Sequence, residues 1–288
     1  DFAWNLGGNL YGSNPDAAFA ETALSKIGFV LYMNTTLNQG HFRGRGRTTL
    51  VLPVLARDEE PEPTTQESMF NYVRLSDGGP ARHQGPRSEA GVIVEVARRL
   101  FPRGPIPWDE LKTAAGIRGA IGAAVPGFKS ILEIDKTRKE FHIEGRVMHR
   151  PSFATPTGRA AFKAVAIPPE SLEKGGANRF KLMTVRSDSQ FNTVVYELHD
   201  KYRGVDSRDV VLMNPEDIRR LGLAGNARVT VRNATGALAG QRLAPYPVKA
   251  GNIMMYFPES NILVPRISDG QSKTPSFKSV DVFIERES

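Results

Sequence analysis

Apolar and polar positions alternate with two different textures along the chain. The chain begins inside what reads as a strand, and Leu6 runs into Gly7-Gly8-Asn9. Ser13-Asn14-Pro15-Asp16 then predicts a helix start, with Asn14 as the cap and Pro15 at the first helical position, and the helix continues from Ala17 to Leu24. Gly28–Met33 and Thr48–Pro53 are short apolar runs expected to be strands. This strand, helix, strand order predicts α/β layering. The acidic, proline-rich stretch Arg57–Gln66 reads as an exposed loop. Ser88 is placed to cap a helix whose apolar face is Val92, Ile93, Val96, Ala97 and Leu100. From Phe101 to Phe128, dense Gly and Pro leave room only for short helical pieces.

The hydrophilic stretch Pro168–Asn178 reads as the main linker, and the texture changes after it. Phe180–Val185, Asp209–Met213, Arg228–Arg232, Asn252–Phe257 and Val280–Glu285 all read as strands. Among them Asn214 caps a short helix, with Pro215 at its first position and Gly222 as its stop. The second half is therefore expected to be a strand-rich module of closed-barrel type.

Composition narrows the function classes. The 288 residues are 40% hydrophobic and 24% charged, as in a folded globular chain. The absence of cysteine excludes disulfides, thiolate metal sites, Cys-bound iron–sulfur clusters and Cys nucleophiles within this chain. A net charge of +7 favours an anionic partner. No apolar run is long enough for a membrane-spanning helix. The first residues lack the basic start and apolar stretch of a signal peptide and begin inside a strand, so the chain reads as a fragment or a processed piece.

Several segments carry candidate chemistry. Asn-Pro-Glu-Asp-Ile-Arg-Arg-Leu-Gly-Leu, from Asn214, leads through Ala-Gly-Asn into Arg228–Arg232 as a capped helix, a turn and a strand. The turn Thr184–Thr193 holds Arg186, Ser187 and Thr193, donors suited to a pyrophosphate. Gln190 and Asn192 in the same turn both donate and accept, which suits a purine or pterin edge. Thr155–Phe162, Pro258–Asn261 and Thr274–Lys278 are further turn-rich segments, and Asn261 and Lys278 add polar groups to them. Gly7 and Gly8, with Asn9, end the first strand and permit close approach to a phosphate or sugar. Arg43-Gly44-Arg45-Gly46-Arg47 is the densest basic run, but no aromatic residue interleaves with it, which disfavours nucleic acid. His142 and Glu144 on one strand face, with His149 nearby, lack the further ligands that a zinc site needs. His41 reads as an ordinary loop histidine.

Taken in order and spacing, these segments resemble the C-terminal portion of formate-dehydrogenase-like molybdopterin oxidoreductases of the dimethyl sulfoxide reductase superfamily. Leu6–Asn9 and Val51–Pro53 resemble the end of the preceding α/β domain. The resemblance implies a partial Rossmann-like α/β portion at residues 1–150, a linker at 151–177 and a double-psi β-barrel at 178–288. It implies bis-molybdopterin guanine dinucleotide with molybdenum or tungsten. The cofactor-binding residues would be Gly7, Gly8, Asn9, Arg186, Ser187, Gln190, Asn192, Thr193, Asn261 and Lys278. An iron–sulfur cluster and the metal ligand are expected upstream of Asp1, so this stretch alone is expected to be inactive. The implied partners are the upstream part of the same enzyme and an electron-transfer subunit. The implied location is cytoplasmic, with the periplasm also compatible. The competing reading is a stand-alone basic barrel that binds nucleic acid or a protein.

Overall fold

The computed structural model describes residues 1–146, 151–166 and 176–287. Residues 168–175 of the expected linker, and His149, lie outside the described residues. The chain divides into two compact units, one of Asp1–Val51 with Ile167–Ser288 and the other of Leu52–Ala166.

The first segment follows the apolar pattern. Strand β1 (Phe2–Leu6) pairs in parallel with β2 (Phe29–Asn34), with Trp4 opposite Leu31, and helix α1 (Ala17–Ser25) makes the crossover between them. The predicted cap is off by two residues. Asp16, not Asn14, accepts the Phe19 N–H. Asn14 instead gives its amide to the Leu10 carbonyl. Asp16 holds a left-handed backbone that a small polar residue tolerates, and this sets the helix start. After β2 come the single turn α2 (Gly40–Arg43) and β3 (Thr48–Pro53), which completes a three-stranded sheet in the order β1-β2-β3.

The second unit departs further from expectation. The stretch read as the loop Arg57–Gln66 contains a short 3₁₀ turn and contributes to β4 (Thr64–Glu67), which pairs antiparallel with β5 (Tyr72–Ser76). Alternation is weak there because the residues are Thr, Gln and Glu, and pairing rather than burial organises them. Helix α3 (Glu89–Leu100) buries Val94 and Ala97, while Leu100 of the predicted face is exposed. Helix α4 (Ala114–Ala124) and the single turn α5 (Ile134–Thr137) are tied by Arg118, whose buried guanidinium bonds Asp135 and the Pro63 carbonyl. Strand β6 is only Phe141–His142, so Glu144 falls in the turn after it and shares no strand face with His142. Val73, Phe128, Ile131, Ile134 and Ile143 form this unit's core.

The last segment is a closed six-stranded barrel. Its strands are β7 (Arg179–Val185), β8 (Val210–Met213), β9 (Arg228–Arg232), β10 (Ala237–Pro245), β11 (Asn252–Tyr256) and β12 (Val280–Arg286). The order around the barrel is β10-β8-β11-β7-β12-β9. β10/β8 and β11/β7 pair in parallel and the other neighbours antiparallel, a mixed closure consistent with the double-psi fold. Helix α6 (Pro215–Arg220) starts at Asn214, whose side chain accepts the Glu216 N–H, and Gly222 stops it with a positive φ. Val210–Met213 is buried on both faces, which is why β8 is an unbroken apolar run. Leu182, Val211, Val229, Val231, Leu243, Ile253 and Val282 fill the barrel.

Candidate cofactor-binding site

The turn that leaves β7 is built around Arg208. The Gln190 Oε1 atom accepts the Ser187 N–H at 3.2 Å, and its amide Nε2 donates to the Phe257 carbonyl at 2.8 Å. Arg208, just before β8, is buried and donates to Ser187 Oγ (2.9 Å), Gln190 Oε1 (3.3 Å) and the Phe257 carbonyl (2.6 Å). Its charge is met by Glu259 in a two-pronged pair at 2.8 and 2.9 Å. The guanidinium lies 3.5 Å from the Tyr196 ring centroid and 4.8 Å from that of Tyr256. Tyr196 in turn donates to Glu259 at 2.7 Å, and burial together with that carboxylate pushes its hydroxyl up to about 12. Ser187 and Gln190 are therefore occupied in holding the turn and the closing loop together.

Outside this hub the turn presents positive charge. Arg186 is exposed, gives one bond to Asn192 Oδ1 at 2.8 Å, and among the described residues pairs with no carboxylate. Lys278 from the closing loop donates to the Thr184 carbonyl. Partial burial, with the charges of Arg186 and Arg203 beside it, lowers the Lys278 pKa. Arg203 bonds the Arg186 carbonyl at 2.9 Å and pairs with buried Asp200 at 2.6 Å. Three cations thus crowd one rim, and only Arg203 has a carboxylate partner among the described residues.

The N-terminal loop reaches the same turn. Asn9 donates to the Thr193 carbonyl at 3.3 Å and accepts the Gly12 N–H at 2.6 Å. Gly7 takes a positive φ, and the Gly8 carbonyl accepts from Asn34 and Asn38, each at 3.3 Å. Asn261 sits deeper. It is 1% exposed, and its amide is spent on the Gly12 and Asn14 carbonyls at 2.9 and 3.0 Å, leaving Oδ1 buried without a partner among the described residues. Arg186, Ser187, Gln190, Asn192 and Lys278 therefore gather at the turn, Asn9 adjoins it through Thr193, Gly7 and Gly8 lie beside Asn34 and Asn38 instead, and Asn261 is bonded to the Gly12 and Asn14 carbonyls. Sequence reasoning missed Arg208, Glu259, Tyr196, Arg203 and Asp200. The one signal was an arginine directly before a strand too apolar to face water, a position that demands a partner.

Residues 180–281, which cover all of the barrel except the first residue of β7 and most of β12, match the family described as the molydopterin dinucleotide binding domain. The barrel is a molybdopterin-dinucleotide-binding domain. An uncharacterized oxidoreductase of Mycobacterium tuberculosis is 34% identical over 306 residues, covering 97% of this chain and 38% of the relative. The protein YdeP of Escherichia coli is 28% identical over 298 residues, covering 97% of this chain and 39% of its own length. The chain thus spans about two fifths of the curated relatives it matches. Acetylene hydratase from Pelobacter acetylenicus shares the fold, with a TM-score of 0.65 and 14% identity over 99% of this chain and 44% of that one. This domain is related to those of the oxidoreductases of the dimethyl sulfoxide reductase superfamily. Among the described residues no group of three or more His, Cys, Asp and Glu side chains could hold a metal ion. No helix among them is long and apolar enough to cross a membrane.

Proposed function

We propose that this chain is the cofactor-holding C-terminal part of a formate-dehydrogenase-like molybdenum enzyme, and that it grips a bis-molybdopterin guanine dinucleotide at the β7 turn. The observation that carries the reading is the crowding of Arg186, Arg203 and Lys278 with two of the three unpaired by carboxylate among the described residues. Like charges brought together cost energy unless an anion joins them, and a pyrophosphate supplies that anion. Arg186 and Lys278 would take the phosphates, Asn192 and Thr193 the adjoining sugar, and Gly8 and Asn9 the far wall. The buried, unpartnered Asn261 Oδ1 fits a polar ligand nearby.

The bound group would supply the redox chemistry, and the chain supplies orientation. Arg208 keeps the turn in register with Phe257. The remaining elements of this reading are an α/β portion over residues 1–150, a barrel from residue 178, a redox metal and iron–sulfur cluster held by upstream sequence, an electron-transfer subunit as partner, and a cytoplasmic location.

In the full-length enzyme, Arg186→Ala removes a charge-assisted phosphate contact worth about 1.5–3 kcal/mol, so retention of the cofactor should fall by roughly tenfold or more. The exposed side chain contributes little to packing, and the melting temperature should stay put. Molybdenum and guanine nucleotide per mole of folded protein are the quantities to measure. Unchanged content with an intact fold would refute the role of Arg186.

A further inference from the structure

The densest basic run of the sequence, Arg43-Gly44-Arg45-Gly46-Arg47, takes no part in the site described above. A solvated loop would leave its glycines open to water, but here both are packed against the body. A Cβ on Gly44 would stand 2.6 Å from the Gly40 carbonyl oxygen and 2.6 Å from the Tyr32 hydroxyl. A Cβ on Gly46 would stand 2.7 Å from the Ile27 carbonyl oxygen and 2.7 Å from Val30 Cγ2. Non-bonded atoms do not come so close, so only glycine fits at either position. The backbone is held as well. The Gly44 carbonyl accepts from Tyr32 at 2.7 Å, the Gly46 N–H donates to Thr49 Oγ1 at 3.0 Å, and the Arg47 N–H donates to the Ile27 carbonyl at 2.8 Å. The run is thus a fixed ridge against β2, with its glycines turned inward and Arg43, Arg45 and Arg47 exposed.

Most of the charge on this ridge has no counter-charge bonded to it. Arg43 pairs with Glu21 of α1 at 3.3 Å. Among the described residues Arg45, Arg47 and the exposed Lys26, which ends α1, pair with no carboxylate. The Arg47 guanidinium reaches Gly28, where a Cβ would meet it at 3.2 Å. Four cations therefore gather between α1 and the start of β2. A rigid support of this kind binds an anion without the entropy cost of first ordering a loop. The ridge is also remote from Gly8, whose carbonyl is bonded by Asn34 at the far end of β2. The six residues of β2 put about 20 Å between the two ends.

The geometry points to this ridge as a docking surface for an acidic protein segment, whose carboxylates take the places on Arg45, Arg47 and Lys26 that Glu21 takes on Arg43. A guanidinium holds a carboxylate through two parallel N–H donors, and arginine clusters read acidic motifs in this way. Single-stranded nucleic acid fits less well, because no aromatic side chain stands between the arginines to stack on a base. The inference does not depend on the proposed cofactor function.

The test titrates the whole chain with a fluorescein-labelled decaglutamate peptide at low ionic strength and follows the anisotropy. The parent chain should bind the peptide, and added salt should weaken the complex. The double variant Arg45→Ala, Arg47→Ala should weaken binding about five- to tenfold. A control, Arg103→Ala with Lys129→Ala, removes the same charge from exposed positions of the other unit and should change binding by less than about twofold. That comparison separates the ridge from the general charge of +7. Gly46→Ala keeps every charge but displaces the ridge, and it too should weaken binding. If that chain fails to fold, the exposed arginine pair decides the matter. No binding by the parent chain, or equal losses in the two double variants, would overturn the inference. So would tighter binding of a deoxythymidine oligomer or of phosphatidylserine vesicles than of the peptide.

Discussion

Asp200 shows how much one side chain sustains beside the cofactor turn. It is fully buried and accepts from the Tyr256 hydroxyl at 2.8 Å, from Arg203 at 2.6 Å and from the Tyr202 N–H at 3.0 Å. Burial pushes its pKa up, but the bonds from Tyr256 and Arg203 outweigh that and hold it below the ordinary carboxylate value. A depressed folded-state value means that the stabilisation is complete above the unfolded value of about 3.9 and is lost as pH falls through the folded one. Asp200→Asn keeps the shape but strips the charge, leaving Arg203 without its carboxylate. The expected cost is about 3 kcal/mol at neutral pH, the low end for a broken buried pair because Arg203 is partly wet. The variant's urea stability should also depend less on pH below 4. An acid limb identical to that of the parent chain would remove Asp200 as its source.

Among the elements, β10 bears most on the barrel's closure. It pairs in parallel with β8 and antiparallel with β9, and it carries Leu243 into the core with no exposure. Leu243→Ala should cost about 2–5 kcal/mol, read as a lower urea midpoint at an unchanged slope. A change below about 0.5 kcal/mol would mean that the strand is not where the structure puts it. Among the barrel strands this is the one that the sequence does not show. Gly240, Gln241, Arg242 and Pro245 break its apolar pattern, and a bulge between Leu238 and Gln241 breaks its period. By contrast β8, β9, β11 and β12 were legible, because both-face burial or clean alternation leaves a local trace. The site divides the same way. The donor-rich turn after β7 was legible because its residues are neighbours in the chain. Arg208 was not, because its burial depends on Glu259, 51 residues on, and on two rings. His41 divides the same way: the residue is plain in the sequence, but its burial against Tyr32 follows from the turn α2, which the sequence does not show.

Across the larger unit, the barrel is fastened to the β1-α1-β2 segment by long-range polar bonds. Asn261 supplies two of them, the Asp16 N–H reaches the Val264 carbonyl at 2.9 Å, and Arg266 pairs with Asp16 at 3.0 Å. These should differ in weight. Asn261→Ala strands two carbonyls and should cost about 1–3 kcal/mol, whereas the exposed pair lost in Arg266→Ala is worth about 1 kcal/mol or less. Thermal melts of the two variants test the ranking, and an equal or reversed order would show that Asn261 is not the main fastener.

The same fastening bears on how the polypeptide emerges from the ribosome. The Gly12 carbonyl and the Asn261 amide that it accepts from are 249 residues apart. At about 5–20 residues per second, roughly 12–50 seconds separate their synthesis. Throughout that interval β1 and β2 exist without the loop that completes them, while the whole of Leu52–Ala166 is made and can fold as its own unit. Of these residues, Asp1–Val51 is thus made before the others and among the last finished. A nascent chain stalled before Asn261 should leave Asp1–Val51 open to protease while Leu52–Ala166 is already protected.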